Sequence, residues 1–188
     1  MKFVTYCERG GMITTIGILH KNGNSVAPIS MFGVSYKSMN DLIEHAGKEE
    51  LIQLQNASLQ DLPFPYSLEN IVLSAPIPVP RQDIICLGVN YKNHARESAR
   101  YKKEAFDLNA DYPVYFSKRV NEAVGHEQEV FSYGELVDSL DYEVELALVI
   151  GKDAKNVHKE NAYEYIFGYT ILNDISARNI QTQHKQWY

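Results

Sequence analysis

Short apolar runs alternate with polar turns along most of the chain, and their spacing predicts the elements. Residues 2–7 (KFVTYC) and 13–19 (ITTIGIL) are β-branched and aromatic, and Arg9-Gly10-Gly11 between them reads as the turn of a β-hairpin. Lys21-Asn22-Gly23-Asn24 marks a second turn. At Ser38 the pattern changes. Ser38-Met39-Asn40-Asp41-Leu42-Ile43-Glu44-His45 offers a capped helix start with Gly47 as its stop, and Glu49 to Gln55 a second short helix. Ser74-Ala75-Pro76-Ile77-Pro78-Val79-Pro80-Arg81 then carries proline at every second position, which removes backbone donors and favours an extended connection. A domain boundary is expected there, with residues 1–78 forming a small N-terminal α/β domain and residues 79–188 a second domain, an α+β arrangement overall.

Beyond the prolines, Asp83 to Val89 reads as a short buried strand ending at Gly88, followed by a helix-compatible polar run from Lys92 to Ala105. Pro113 to Ser117 and Tyr142 to Ile150 read as strands, Asn161 to Ile166 as a short helix, and Gly168 to Ile175 (GYTILNDI) as a further strand.

The run DYEVELALVIG, Asp141 to Gly151, puts two acids at the head of an apolar strand. Side chains alternate faces along a strand, so Glu143, Glu145, Ala147 and Val149 share one face and Tyr142, Val144, Leu146, Leu148 and Ile150 the other. Two readings stand. The acids are the solvated end of an edge strand, or they mark a pocket mouth where like charges need a cation between them. Asp174, near the end of GYTILNDI, supplies a third carboxylate or a strand-end turn residue. Three carboxylates without clustered histidine or cysteine make an all-oxygen set suited to Mg²⁺ or Ca²⁺, with Mn²⁺ possible and zinc disfavoured. In Asn90-Tyr91-Lys92-Asn93-His94-Ala95-Arg96-Glu97, His94 and Glu97 stand at i and i+3, where a helix brings them onto one face. They read either as solvated surface residues or as an imidazole and carboxylate paired for activating water.

Composition narrows the classes. The chain is 45% hydrophobic and 22% charged, the make-up of a soluble globular protein, and its net charge of -6 is scattered with no basic stripe. Nucleic acid is therefore not an expected partner. Cys7 and Cys86 fit no metal or redox spacing and read as small core residues of a reducing cytosol. No apolar run reaches the length of a membrane span and the N-terminus lacks a signal-peptide core, so a cytoplasmic location is expected.

Taken together and in this order, the stretches IICLGVNYKNHARES, PVYFSK, LDYEVELALVIGKDAKNV and GYTILNDISARNIQ, followed by Trp187, resemble the fumarylacetoacetate hydrolase family over residues 80 to 188. The resemblance implies a mixed β-roll for residues 79–188, with Glu143, Glu145 and Asp174 ligating Mg²⁺ or Mn²⁺ and His94 with Glu97 forming a water-activating dyad. It also implies that Lys118, Arg178 and Gln181 contact a substrate carboxylate or oxo group, and that the protein forms a homodimer. The implied substrates are 2-oxo or β-diketo acids. The implied reaction is C–C hydrolysis through a metal-stabilised enolate, with isomerisation or decarboxylation as alternatives, and a non-catalytic metal- or ligand-binding remnant as an alternative of another class. Two departures stand out. Asn179 occupies a position where the family usually has Asp, and the family continues past the tryptophan through a K-S-x-D stretch, so about half of the β-roll is expected here and activity is expected to need the remainder.

Overall fold

The computed structural model of the chain describes residues 1–88, 90, 91 and 112–184. The expected first hairpin forms. β1 (Lys2–Glu8) pairs antiparallel with β2 (Thr15–Leu19), and β2 with β3 (Ser25–Pro28) across the Lys21–Asn24 turn. α1 (Met39–His45) starts at Ser38, whose hydroxyl accepts the Asp41 N–H, and the first-turn carboxylate of Asp41 suits the helix N-terminus. Gly47 ends that helix region by heading the next one. α2 (Lys48–Leu59) runs four residues past the expected end at Gln55, carrying Leu54, Ala57 and Ser58 into the interior. β4 (Tyr66–Ser67) and β5 (Ile71–Leu73) complete a five-stranded antiparallel sheet in the order β4-β3-β2-β1-β5.

Ile16 and Ile18 of β2 meet Leu42 of α1 and Leu54 of α2 in the main buried cluster, and Leu42, Leu54 and Ile18 are fully buried. Burying each such side chain stabilises the fold by about 1.5 to 3 kcal/mol. Gly17 sits between these two isoleucines for a steric reason. A Cβ there would lie 2.7 Å from Val26 Cγ1 and 2.9 Å from the Ala27 carbonyl oxygen, closer than packed atoms tolerate.

Among the described residues, six further strands lie outside that sheet as three two-stranded pairs. β6 (Ile84–Gly88) pairs antiparallel with β7 (Val114–Lys118), placing Ile84 opposite Lys118. β6 is not buried as its apolar run suggests. Ile85 and Leu87 are exposed while Ile84, Cys86 and Gly88 are half-buried, because a two-stranded ribbon covers one face only. β8 (Leu140–Asp141) precedes β9 (Val144–Ile150), which pairs antiparallel with β10 (Ile166–Asn173) after a 3₁₀ turn over Lys159–Tyr165. β11 (Ser176–Ala177) pairs with β8 and runs into α3 (Arg178–His184), a helix the sequence reading did not contain.

These elements fall into two compact units. One holds Met1–Pro80, Glu122–Phe131 and Glu143–Asp174, and the other the described residues of Arg81–Asn121, Ser132–Tyr142 and Ile175–Tyr188. Within the first, Phe167 of β10 stacks on Phe3 of β1 at 5.9 Å between ring centroids and packs against the main cluster. The β9–β10 ribbon thereby turns its odd-numbered β9 residues inward. Glu145, Ala147 and Val149 are half-buried, while Val144, Leu146, Leu148 and Ile150, with Tyr169 and Ile171 opposite, are exposed. Among the described residues no helix is long and apolar enough to cross a membrane, and neither cysteine is in a disulfide.

Candidate functional site

The heads of β9 and the tail of β10 carry the acids. Register places Glu145 opposite Leu172 and Val144 opposite Asn173. One step further, the Asp174 N–H donates to the Glu143 carbonyl at 2.7 Å, and the Glu143 N–H donates to Asn173 Oδ1 at 3.2 Å. Glu143 and Asp174 are therefore backbone neighbours, although 31 positions separate them along the chain. Asp174 is 6% exposed, so its carboxylate is withdrawn from bulk water and requires a cation or hydrogen bonds around it.

Carboxylate oxygens are the donors a hard divalent cation takes, and the Glu143–Asp174 juncture, with Glu145 on the same inward face, fits such an ion in chemistry. A closed cage is not formed. Among the described residues no group of three or more His, Cys, Asp or Glu side chains is gathered to hold a metal. The expected dyad, His94 with Glu97, lies outside the described residues, as does Trp187.

The three expected anion-contacting residues lie in the second unit, and each has an identified partner. Lys118, the last residue of β7, donates from Nζ to the Ile175 carbonyl at 3.0 Å. Arg178, at the start of α3, points its Nε and Nη2 at Asp141 Oδ2, each at 2.9 Å. Its Nη1 donates to Gln181 Oε1 at 3.1 Å, a contact made possible by the i, i+3 spacing on one helix face. Asp141 reaches Arg178 because Ser176 is its β-ladder partner and Arg178 is two residues further along, a diagonal neighbour on the same face. The Arg178 N–H donates to the Ser139 carbonyl, and Asn179 Nδ2 to the Leu136 carbonyl, fixing the start of α3 against the chain before β8.

Asp141 and Asn173 were missed by sequence reasoning. Asp141 has the same strand parity as Glu143 and Glu145, and the Asn173-Asp174 dipeptide was visible, but only the register shows what each side chain meets.

Residues 83–188 match the family described as fumarylacetoacetate (FAA) hydrolase C-terminal. The chain belongs to this family. Across its members, it is 47% identical over 125 residues to the oxaloacetate tautomerase YisK of Bacillus subtilis, a match covering 66% of this chain and 40% of that protein. It is 31% identical over 191 residues to the mitochondrial oxaloacetate tautomerase fahd2 of Xenopus laevis, covering 100% of this chain and 56% of the relative. A solved fumarylacetoacetate hydrolase from Exiguobacterium antarcticum superposes with a TM-score of 0.72 at 26% identity, covering 100% of this chain and 60% of that one. The chain thus shares the mixed α and β fold of the FAA hydrolase family and spans between 40% and 60% of these three relatives' lengths.

Proposed function

We propose that this chain supplies catalytic residues of a divalent-cation-dependent enzyme acting on 2-oxo or β-diketo acids, with keto–enol tautomerisation or isomerisation as its reaction. The observation that carries the reading is the juncture of Glu143 with Asp174, a buried carboxylate held beside a second acid at the ends of two paired strands. The type of reaction is taken from the oxaloacetate tautomerases at 47% and 31% identity. C–C hydrolysis is the second reading, favoured by the structural likeness to the Exiguobacterium fumarylacetoacetate hydrolase. A mixed β-roll for residues 79–188 and a homodimeric assembly belong to the same reading.

Glu143, Glu145 and Asp174 would hold Mg²⁺ or Mn²⁺. Such an ion supplies Lewis acidity to a chelated oxo acid, lowering the cost of removing the adjacent proton. The chain's own residues do the rest. Arg178 and Gln181 present N–H donors on one helix face, suited to a planar carboxylate, and Lys118 adds a positive charge held by the Ile175 carbonyl. His94 with Glu97, the dyad that the family resemblance implies, would take or return the proton, or draw one from water if the bond is to be hydrolysed.

The test is oxaloacetate enol decay followed by ultraviolet absorbance, alongside acylpyruvate cleavage, with and without chelator. Glu143→Ala is expected to lower kcat/KM by about 100-fold or more, on the scale of losing an electrostatic stabiliser of the transition state. Activity unchanged by that substitution, or surviving complete metal removal, would overturn the metal-dependent reading.

A further inference from the structure

Arg178 and Gln181 arrive at the proposed chemistry already arranged, and the residue that arranges them is Asp141. We propose that Asp141 is a positioning residue, which acts through Arg178 to fix the donors that recognise the carboxylate of an oxo-acid substrate. The inference rests on the functional reading above.

The geometry has three parts. Asp141 Oδ2 receives both Nε and Nη2 of Arg178 at 2.9 Å, so two contacts on one edge of the guanidinium set its plane. The opposite side of the group then directs Nη1 to Gln181 at 3.1 Å. An arginine N–H can only donate, so the atom it meets on Gln181 is the amide oxygen, and the donor end of that amide is turned the other way. One carboxylate therefore sets the orientation of two side chains.

Asp141 holds Arg178 through two contacts to one carboxylate oxygen before any ligand arrives. Holding a long side chain in one rotamer before binding also lowers the entropy lost when a ligand arrives, and this gain is expressed as affinity. A simple clip between β8 and β11 would need neither the second guanidinium contact nor the Gln181 link.

The experiment compares the 188-residue chain with Asp141→Asn, Asp141→Ala and Asp141→Glu. Oxaloacetate tautomerase kinetics are measured beside oxalate binding by calorimetry in Mg²⁺, and the Arg178 Nε–H is followed by NMR. In Asp141→Ala, KM and the oxalate Kd are expected to rise about tenfold or more with kcat held within about threefold, and the Nε–H signal to lose its protection from exchange. Asp141→Asn keeps the shape and should fall between, and Asp141→Glu should return KM to within about threefold of the original. KM and Kd unchanged in Asp141→Ala would overturn the proposal, as would equal losses in kcat, KM and thermal stability that Asp141→Glu fails to relieve. If the unsubstituted chain fails to bind oxalate in Mg²⁺, the functional reading falls and this inference with it. An unsubstituted chain that binds oxalate, with an indifferent Asp141→Ala, removes the inference alone.

Discussion

Glu50 shows how much one side chain can join. Its Oε2 accepts the Tyr36 hydroxyl and the Gly47 N–H, so it ties the loop before α1 to the start of α2. The tyrosine hydrogen bond, and after it the backbone one, hold the Glu50 carboxyl below its ordinary 4.5, while the same hydrogen bond pushes the Tyr36 phenol up to about 12. The signs follow from linkage. A depressed carboxyl contributes stability above its unfolded value and loses it as pH falls through the folded one, and a raised phenol contributes below 10 and loses it as pH rises towards 12. Tyr36→Phe is therefore expected to melt earlier at neutral pH, with the gap closing at both acid and alkaline extremes. Thermal unfolding by circular dichroism across the range checks this, and a pH-independent gap would contradict it. The bond was invisible in the sequence because Tyr36 and Glu50 lie 14 residues apart, in a loop and a helix whose approach is set by packing.

At the scale of elements, the β9–β10 ribbon reverses what its composition suggests. Its acids share the inward face with Ala147 and Val149, while Val144, Leu146 and Ile171 face outward, 68%, 59% and 76% exposed. Alternation alone told which residues share a face, because parity is local. It did not tell which face is inside, because that depends on where Phe167 and its neighbours pack. The first hairpin and α1 were legible for the opposite reason: Gly10-Gly11, the Ser38 cap and Gly47 act within a few residues of themselves. α3 was missed because Asn179, Thr182 and His184 give it little intrinsic helix preference, while the Arg178 and Asn179 contacts to the chain before β8 hold its first turn. An exposed apolar stripe of this kind binds hydrophobic dyes. Leu146→Ser with Leu148→Ser should lower anilinonaphthalene sulfonate fluorescence while changing stability by about 0.5 kcal/mol or less per site, as befits exposed positions. Unaltered dye binding would place the dye elsewhere.

For the molecule as a whole, metal binding and turnover are separable. A cation held by Glu143, Glu145 and Asp174 stabilises the folded chain by mass action whether or not a reaction follows. At about 100 times its Kd, Mg²⁺ should add about 2.7 kcal/mol, raising the melting temperature by roughly 5 to 10 °C for a chain of this size, and Glu143→Gln should abolish the rise. A rise without turnover would identify a binding protein rather than an enzyme, and no rise would leave the acids without a metal-binding role. The two compact units bear on how such a protein can change over generations. Its chain passes between them five times, the first unit using Met1–Pro80, Glu122–Phe131 and Glu143–Asp174. A contiguous stretch exchanged between genes cannot carry either unit entire without carrying segments of the other. The proposed metal ligands between Glu143 and Asp174 are therefore inherited together with parts of both units, unlike those of a domain on a linker.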